Sequence, residues 1–144
     1  MPTVRRPLHG GVADDIAAAL AALRRRAMIV DGAGSELERV DLRDAELDGL
    51  DIPQVYFAHS NLEGAHLVGA KLAGATLSDT VLRKTDLSDA DLRGADLARA
   101  DLSGAVLLGA DLTNAKLRDA NLIGVMADNT TTWPQGFTPP PPRT

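Results

Sequence analysis

A leucine recurs at every fifth residue through most of this chain. The stretch ADLRGADLARADLSGA (residues 90–105) shows the pattern most clearly, with an alanine two places and an aspartate one place before each leucine. Counted on this leucine as the centre, 18 consecutive units run from Leu37 to Leu122. Sixteen of the centres are leucine, and the residue two places earlier is alanine in 11 units. This period is the strongest constraint on the fold.

A period of five fits neither standard element. In an α-helix, at ~100° per residue, successive leucines would step about 140° around the axis and face every side. In a flat strand an odd period would place successive leucines on opposite faces. We infer that the chain turns once per unit. The centre and the small residue two places before it then share the inward face of a short extended segment, and the last two residues, rich in Gly, Asp, Asn and Ser, make the corner.

The predicted interior is a column in which leucines stack on leucines, with coils ~4.8 Å apart. Such a core needs no large rings, which agrees with a content of two Phe, one Tyr and one Trp. The predicted inward ladder comprises Leu62, Leu67, Leu72, Leu77, Leu82, Leu87, Leu92, Leu97, Leu102, Leu107, Leu112, Leu117 and Leu122.

The pattern resembles the pentapeptide-repeat family, whose motif is A(D/N)LXX, and residues 90–105 fit that motif residue for residue. The resemblance implies an all-β solenoid, a right-handed quadrilateral β-helix, here of about four and a half coils; the period by itself indicates only a turning coil. The predicted organisation has four parts: a flexible N-terminus (1–11), a capping α-helix and linker (12–34), the β-helix (35–129), and a cap segment with a proline-rich tail (130–144).

Both ends of a solenoid need a cover. The stretch VADDIAAALAALRRRAMIV (12–30) has an amphipathic pattern and predicts the N-terminal capping helix. The alternative is a helix that binds a partner or a second copy of the chain, with 24–26 (Arg-Arg-Arg) as a docking site for an anionic group. At the other end, Trp133 and Phe137 are predicted to fold over the last coil, with an aromatic ligand site as the alternative, and 139–142 predict an extended tail.

One stretch, LDIPQVYFAH (50–59), departs from the pattern. Large residues occupy two of the inward positions that hold alanine in most units, and Pro53 lies at a corner. Together they predict a bulged coil around Phe57. The alternative is a binding notch near Tyr56 and His59.

No constellation typical of catalysis stands out. The three histidines have no metal-ligand spacing and no evident nucleophile beside them. The absence of cysteine excludes thiolate sites, and aspartate pairs are unavoidable when the repeat itself carries aspartate. The sequence therefore predicts a protein that is not an enzyme and that uses no cofactor and no metal.

The acidity of the chain belongs to the repeat. The net charge is −5, and residues 35–129 hold 17 acids and 9 bases. An acidic body argues against direct binding to nucleic acid, where affinity comes from Lys and Arg at phosphates. No apolar run approaches the ~18 residues of a membrane span. We expect a cytoplasmic protein without membrane contact.

Residues twenty apart should stack on the same side of a four-sided coil. One column of outward residues is then the most acidic, and a neighbouring one gathers apolar groups of the kind that mark interfaces. The predicted interaction surface comprises Asp51, Asp91, Asp111, Asp86, Val68, Val106 and Leu108.

Two functions compete. The first is a non-catalytic, rigid module for protein–protein interaction, because a solenoid displays side chains at fixed spacing; its protein partner is not identified by the sequence. The alternative follows from the resemblance: a DNA mimic that binds a type II topoisomerase, DNA gyrase, and gives quinolone resistance or self-protection. The negative charge agrees with this alternative, whereas a column of about 20 Å is short for a DNA mimic. The sequence favours neither a monomer nor a homodimer.

Overall fold

The chain forms a four-sided column of stacked coils in the computed structural model, which describes residues 37–141. Within these residues there is no helix, and the extended segments are single-residue parallel β-bridges. The bridges join residues twenty apart, from Asp41↔Asn61 to Val106↔Met126. Each coil is therefore made of four five-residue units, as the family resemblance implied.

The bridged outward residues define four sides, which we number in chain order. Side 1 carries Asp41, Asn61, Val81, Asp101 and Asn121. Side 2 carries Glu46, His66, Asp86, Val106 and Met126. Side 3 carries Asp51, Lys71, Asp91, Asp111 and Thr132. Side 4 carries Tyr56, Thr76, Asp96 and Lys116. Sides 2 and 4 are on opposite faces of the column.

Each corner is turned by a residue with positive φ, the second residue after the centre of each unit. In the units centred on Leu37 to Leu122 this φ lies between 55° and 70°. The next residue closes the turn by donating its N–H to the carbonyl of the centre, as the N–H of Ala65 does to Leu62 at 3.0 Å; this is the pattern of a type II turn. Ten of the corner residues are not glycine, and five of those ten are Asp or Asn, which enter this region most readily.

Backbone hydrogen bonds join each coil to the next. The N–H of Leu62 donates to Val81 at 2.8 Å, and the N–H of Gly64 donates to Arg83 at 2.9 Å. The same two bonds recur in the following units, so that the centre and the corner of each unit are both tied to the coil above. Because the peptide groups pair between coils, a narrow column can bury its backbone without leaving donors unsatisfied.

The inward leucines form the core of the column. The centre residues from Leu62 to Leu112 are completely buried, and alanines at the small inward position fill the space beside them. Leu117 and Leu122, at the C-terminal end of the predicted ladder, are only partly buried and pack against the same cluster.

Serine and threonine replace alanine at several inward positions without leaving a buried hydroxyl unpaired. The hydroxyl of Thr85 donates to the carbonyl of Leu62 at 2.7 Å, and that of Thr80 donates to Phe57 at 3.0 Å. Ser60 donates in the same way to the coil before it. Among the described residues no buried side-chain N or O atom lacks a partner. A small hydroxyl residue is therefore equivalent to alanine here because the preceding coil presents a carbonyl to it.

The prediction of a bulged coil around Phe57 is wrong. The bridges continue at intervals of twenty on both sides of this residue, and Phe57 occupies a centre with no exposed surface. Pro53 takes the first corner position, where the fixed φ of proline suits a type II turn, and Gln54 supplies the positive φ of 60°. Tyr56 and His59 lie on the surface of a coil with regular pairing.

The C-terminal end departs from the period by one residue. Asp111 bridges Thr132, which is twenty-one residues later instead of twenty. The extra residue brings Trp133 to the end of the column, where it packs against the core cluster. The ring of Phe137 stacks on Trp133, with centroids 5.4 Å apart. Aromatic side chains therefore cover this end of the leucine column.

The N-terminal predictions lie outside the described residues. These are the flexible segment 1–11 and the capping helix with its linker at 12–34. Within 37–141 no helix has the length and hydropathy that crossing a membrane requires. The number of coils and the boundaries between the four parts stay predictions.

We predict that Leu97→Asp prevents cooperative folding, because Leu97 is completely buried and no cation lies within the core to pair with a carboxylate. Leu108→Asp is the control, since Leu108 is 40% exposed. Urea unfolding followed by circular dichroism tests the pair. A cooperative transition of Leu97→Asp near the midpoint of the parent protein would refute the core assignment.

Candidate interaction surface

The acidic column predicted as part of the interaction surface lies on side 3, where cations accompany it. Asp51, Asp91 and Asp111 stack along this side with Lys71 between the first two. The ammonium of Lys71 is 3.5 Å from Asp51, and the guanidinium of Arg93 is 2.6 Å from Asp91. The hydrogen bond from Arg93 holds the pKa of Asp91 below its usual value. Side 3 therefore carries its negative charge largely in ion pairs.

The outward aspartates have a structural task that sequence reasoning missed. The carboxylate before the centre accepts the backbone N–H of the residue after the centre, as Asp96 does from Ala98 at 3.0 Å. This bond braces the first residue of the corner. The signal was present in the motif, since Asp and Asn are the residues whose side chains accept the backbone N–H two residues on most readily. The same brace is made by Asp41, Asn61, Asp86, Asp91, Asp101, Asp111 and Asn121.

Ion pairs also bridge coils at the corners that flank side 1. Arg99 donates two hydrogen bonds to Asp79 in the coil before it, at 2.7 and 2.9 Å. These bonds lower the pKa of Asp79. On the corner between sides 1 and 2, the guanidinium of Arg83 is 3.8 Å from Glu63. Much of the acidity of the repeat is thus balanced locally by a neighbouring cation.

Side 2 differs from the other three sides in its charge. Together with the corner that follows it, side 2 comprises 45–49, 65–69, 85–89, 105–109 and 125–130. These segments contain five acids and no Lys or Arg, whereas the described residues as a whole contain nine cations. The negative charge of side 2 therefore has no cation within the side itself.

The exposed apolar residues gather at the C-terminal end of side 2. We call this cluster the apolar patch; it consists of Val106, Leu108 and Met126. Val106 bridges Met126, and Leu108 lies two residues beyond Val106. The exposed fractions are 40% for Leu108, 77% for Ile123 and 41% for Met126. Among the described residues, two of the four exposed large hydrophobic side chains are in this patch, and a third, Ile123, lies on the corner before side 2.

The sequence prediction identified only part of the patch. It named Val106 and Leu108, and it stopped one coil before Met126, which continues the same column. Val68, also predicted, occupies the same corner position as Leu108 two coils earlier, which is about 10 Å along the column. Its N–H donates to the carboxylate of Asp48 at 2.8 Å, so that Val68 has an acidic rather than an apolar neighbour.

Three acids surround the apolar patch. Asp86 bridges Val106 from the coil before. The N–H of Asp89 donates to the carbonyl of Leu108 at 2.8 Å, and the carboxylate of Asp89 lies against the next residue, Gly109. Asp128 lies in the following coil. The hydroxyl of Thr130 and, to a smaller extent, its backbone N–H donate hydrogen bonds to the Asp128 carboxylate and lower its pKa. An apolar surface with a negative rim results.

Other features of the described residues point to no second site. His59 and His66 lie on different parts of the surface, and no group of three or more His, Cys, Asp or Glu within 37–141 is arranged to hold a metal ion. Two grooves of about 590 and 280 Å³ lie at the C-terminal end, where the proline-rich tail meets the last coil. Pro140 and Pro141 line both of them, together with Val125.

A family model matches the repeat region. The model is that of pentapeptide repeats, with eight copies, and it matches residues 54–89 and 90–125, which together make half of the chain. Proteins with this repeat form right-handed quadrilateral β-helices, in agreement with the four sides described above. No curated protein matches the chain at a significant level.

Solved structures similar to this chain include two pentapeptide repeat proteins. A pentapeptide repeat protein of the thylakoid lumen of Arabidopsis thaliana is 35% identical with a TM-score of 0.59; the match covers 62% of this chain and 64% of the plant protein, which is less than two thirds of its length. A pentapeptide repeat protein of the cyanobacterium Cyanothece is 25% identical, with 67% and 83% covered and a TM-score of 0.38. QnrB1, a plasmid-mediated fluoroquinolone resistance protein, is 23% identical, with 62% and 60% covered and a TM-score of 0.21.

We predict that Asp96→Ala destabilises the protein by about 1 kcal/mol, the net value of one hydrogen bond, because the N–H of Ala98 loses its acceptor. Asp96→Asn keeps an oxygen at the same place and should change the free energy of unfolding by less than about 0.5 kcal/mol. Denaturant unfolding of the two variants provides the measurement. Equal losses would mean that charge, and not the brace, is what matters at this position.

The ion pairs also predict a pH dependence. Arg99 and Arg93 lower the pKa values of Asp79 and Asp91, so the folded protein binds these protons less readily than the unfolded chain. The pairs therefore stabilise the fold above the unfolded pKa of about 3.9, and this contribution is lost as the pH falls through the lowered values. The urea midpoint should drop on acidification below about pH 4, and Arg93→Gln with Arg99→Gln should reduce the drop. An unchanged drop in that variant would contradict the role of these pairs.

Proposed function

The chain belongs to the pentapeptide-repeat family, and on this premise we propose that it works as a rigid, non-catalytic docking module for another protein. Side 2 is its docking surface. The observation that carries the proposal is the apolar patch, because exposed apolar side chains that cluster on a regular surface are typical of interaction sites.

The backbone supports this role by fixing the surface before a partner arrives. Val106 and Met126 are held one coil apart by a β-bridge, and Leu108 is held by the bond that its carbonyl accepts from Asp89. A partner therefore meets apolar groups whose positions are set by the backbone ladder. Such preorganisation reduces the entropy that binding must overcome.

The non-catalytic part of the proposal is supported by the use that the fold makes of its carboxylates. Asp86, Asp91, Asp96 and Asp111 each accept a backbone N–H at a corner. Their recurrence is explained by the geometry of the unit, and it requires no acid or base chemistry. Cytoplasmic location remains a proposal from the sequence, as does the absence of contact with membranes and nucleic acid.

Mimicry of DNA with gyrase as the partner is the competing hypothesis, and the charge of side 2 is the observation that favours it. Against it stand the ion pairs of the other sides, such as Arg99 with Asp79 and Arg93 with Asp91, because DNA presents negative charge on all sides. An assay of gyrase supercoiling separates the two functions. Inhibition at stoichiometric amounts of protein would favour mimicry, and no effect at large excess would favour the docking module.

We predict that a photoreactive p-benzoylphenylalanine in place of Leu108 forms a discrete covalent adduct with another protein in the producing cells. The same group in place of Tyr56 is the control, because Tyr56 is 39% exposed and lies on side 4, opposite the patch. Mass spectrometry of the adducts provides the measurement. Equal labelling from both positions, or no adduct from Leu108, would contradict side 2 as the docking surface.

A further inference from the structure

We propose that side 2 binds a cationic, amphipathic polypeptide segment, whose apolar side chains cover the apolar patch while its Lys and Arg side chains meet the acids around it. This inference rests on the proposed function and names the chemistry of the partner. Its central element is Leu108, the exposed apolar residue next to Gly109, which the carboxylates of Asp89 and Asp128 contact.

The first step is the geometry around Leu108. Asp89 lies one coil below, since its N–H donates to the carbonyl of Leu108 at 2.8 Å. Asp128 lies on the other side, where the N–H of Gly109 donates to it. The carboxylate of Asp89 also lies so close to Gly109 that a side chain there would collide with it. The carboxylates of Asp89 and Asp128 therefore both lie against Gly109, the residue that follows Leu108.

The second step is the sign of the charge. Side 2 with its following corner has five acids and no Lys or Arg. Two cations, Arg83 and Lys84, lie on the corner before side 2, where Arg83 is 3.8 Å from Glu63 and the side chain of Lys84 lies over Gly104. Leu108 and Asp89 are on the other corner, the one that follows side 2. A partner that covers the patch removes water from the carboxylates at its rim, so that cationic groups stabilise the complex and acidic groups oppose it.

The third step is the choice between classes of partner. A nucleic acid or an anionic membrane would bring phosphates against the acids of side 2, which is unfavourable. A neutral apolar partner would leave Asp86 and Asp89 partly dehydrated without a counter-charge. A segment that carries both apolar and cationic side chains satisfies the patch and the rim together. The ~4.8 Å spacing of the coils sets where along the column the side chains of this segment can meet the patch and its rim.

The test uses the full chain and a fluorescein-labelled synthetic peptide in which leucine alternates with lysine. A second peptide, with glutamate in place of every lysine, measures the effect of charge. Fluorescence anisotropy gives the dissociation constants at low salt and at about 1 M salt, where charges are screened beyond ~3 Å. We expect the lysine peptide to bind and its affinity to fall with salt, and we expect the glutamate peptide to bind at least tenfold more weakly.

Two pairs of matched variants locate the binding. Asp86→Asn with Asp89→Asn removes two rim charges, and Asn keeps the corner brace and tolerates positive φ. The control variant is Asp96→Asn with Asp119→Asn. It makes the same changes on side 4, at the residue before a centre and at the corner residue with positive φ. The first variant should weaken binding of the lysine peptide roughly tenfold, and the second by less than about twofold.

The apolar contribution is tested with Leu108→Ser and Met126→Ser together, against Tyr56→Ser as the control of similar exposure. The double variant should lose at least tenfold in affinity for the lysine peptide, and the control should be unchanged. Equal losses from the side 2 and side 4 variants, or equal binding of both peptides, would overturn the inference. If those results came with a discrete adduct from position 108, the docking function would stand and only the proposed chemistry of the partner would fall.

Discussion

The positive φ at the end of every unit is the constraint on which the rest of this structure depends. It closes a turn after five residues, returns the leucine to the inside, and places the next extended residue where it can bridge the coil above. Gly64 and Arg99 make the same turn with φ of 70° and 57°, so that the corners hold both glycine and residues for which this φ is unfavourable. Core, ladder and surface all follow from this repeated backbone geometry.

The column separates two uses of aspartate that look identical in the sequence. Asp96 braces its corner by accepting a backbone N–H, and Asp79 pairs with Arg99 across coils. Asp89 lies beside exposed apolar groups, in a part of the surface without Lys or Arg. The net charge of the repeat is therefore a poor guide to its recognition properties. The distribution of the cations is the better guide, because it leaves one side negative and balances the others.

Much of the fold follows from the sequence because a strict period leaves few arrangements. The stacking of Asp91 on Lys71 and the burial of Leu97 require only the period and the size of the residues. The bulge expected at Phe57 was wrong because residue volume is a weaker constraint than the unbroken ladder of bridges. The contribution of Met126 to the surface was missed because the motif degenerates after Leu122, although the bridges continue beyond it.

The central claim is that the end of side 2 around Leu108 is the recognition surface of this column. Titration of the ¹⁵N-labelled protein with the leucine–lysine peptide, followed by amide chemical shifts, tests it most directly. The account predicts shifts confined to Leu108, Gly109, Met126 and their neighbours, with the amides of Thr76 and Asp96 on side 4 unchanged. Shifts spread evenly over all four sides, or centred on side 4, would contradict it.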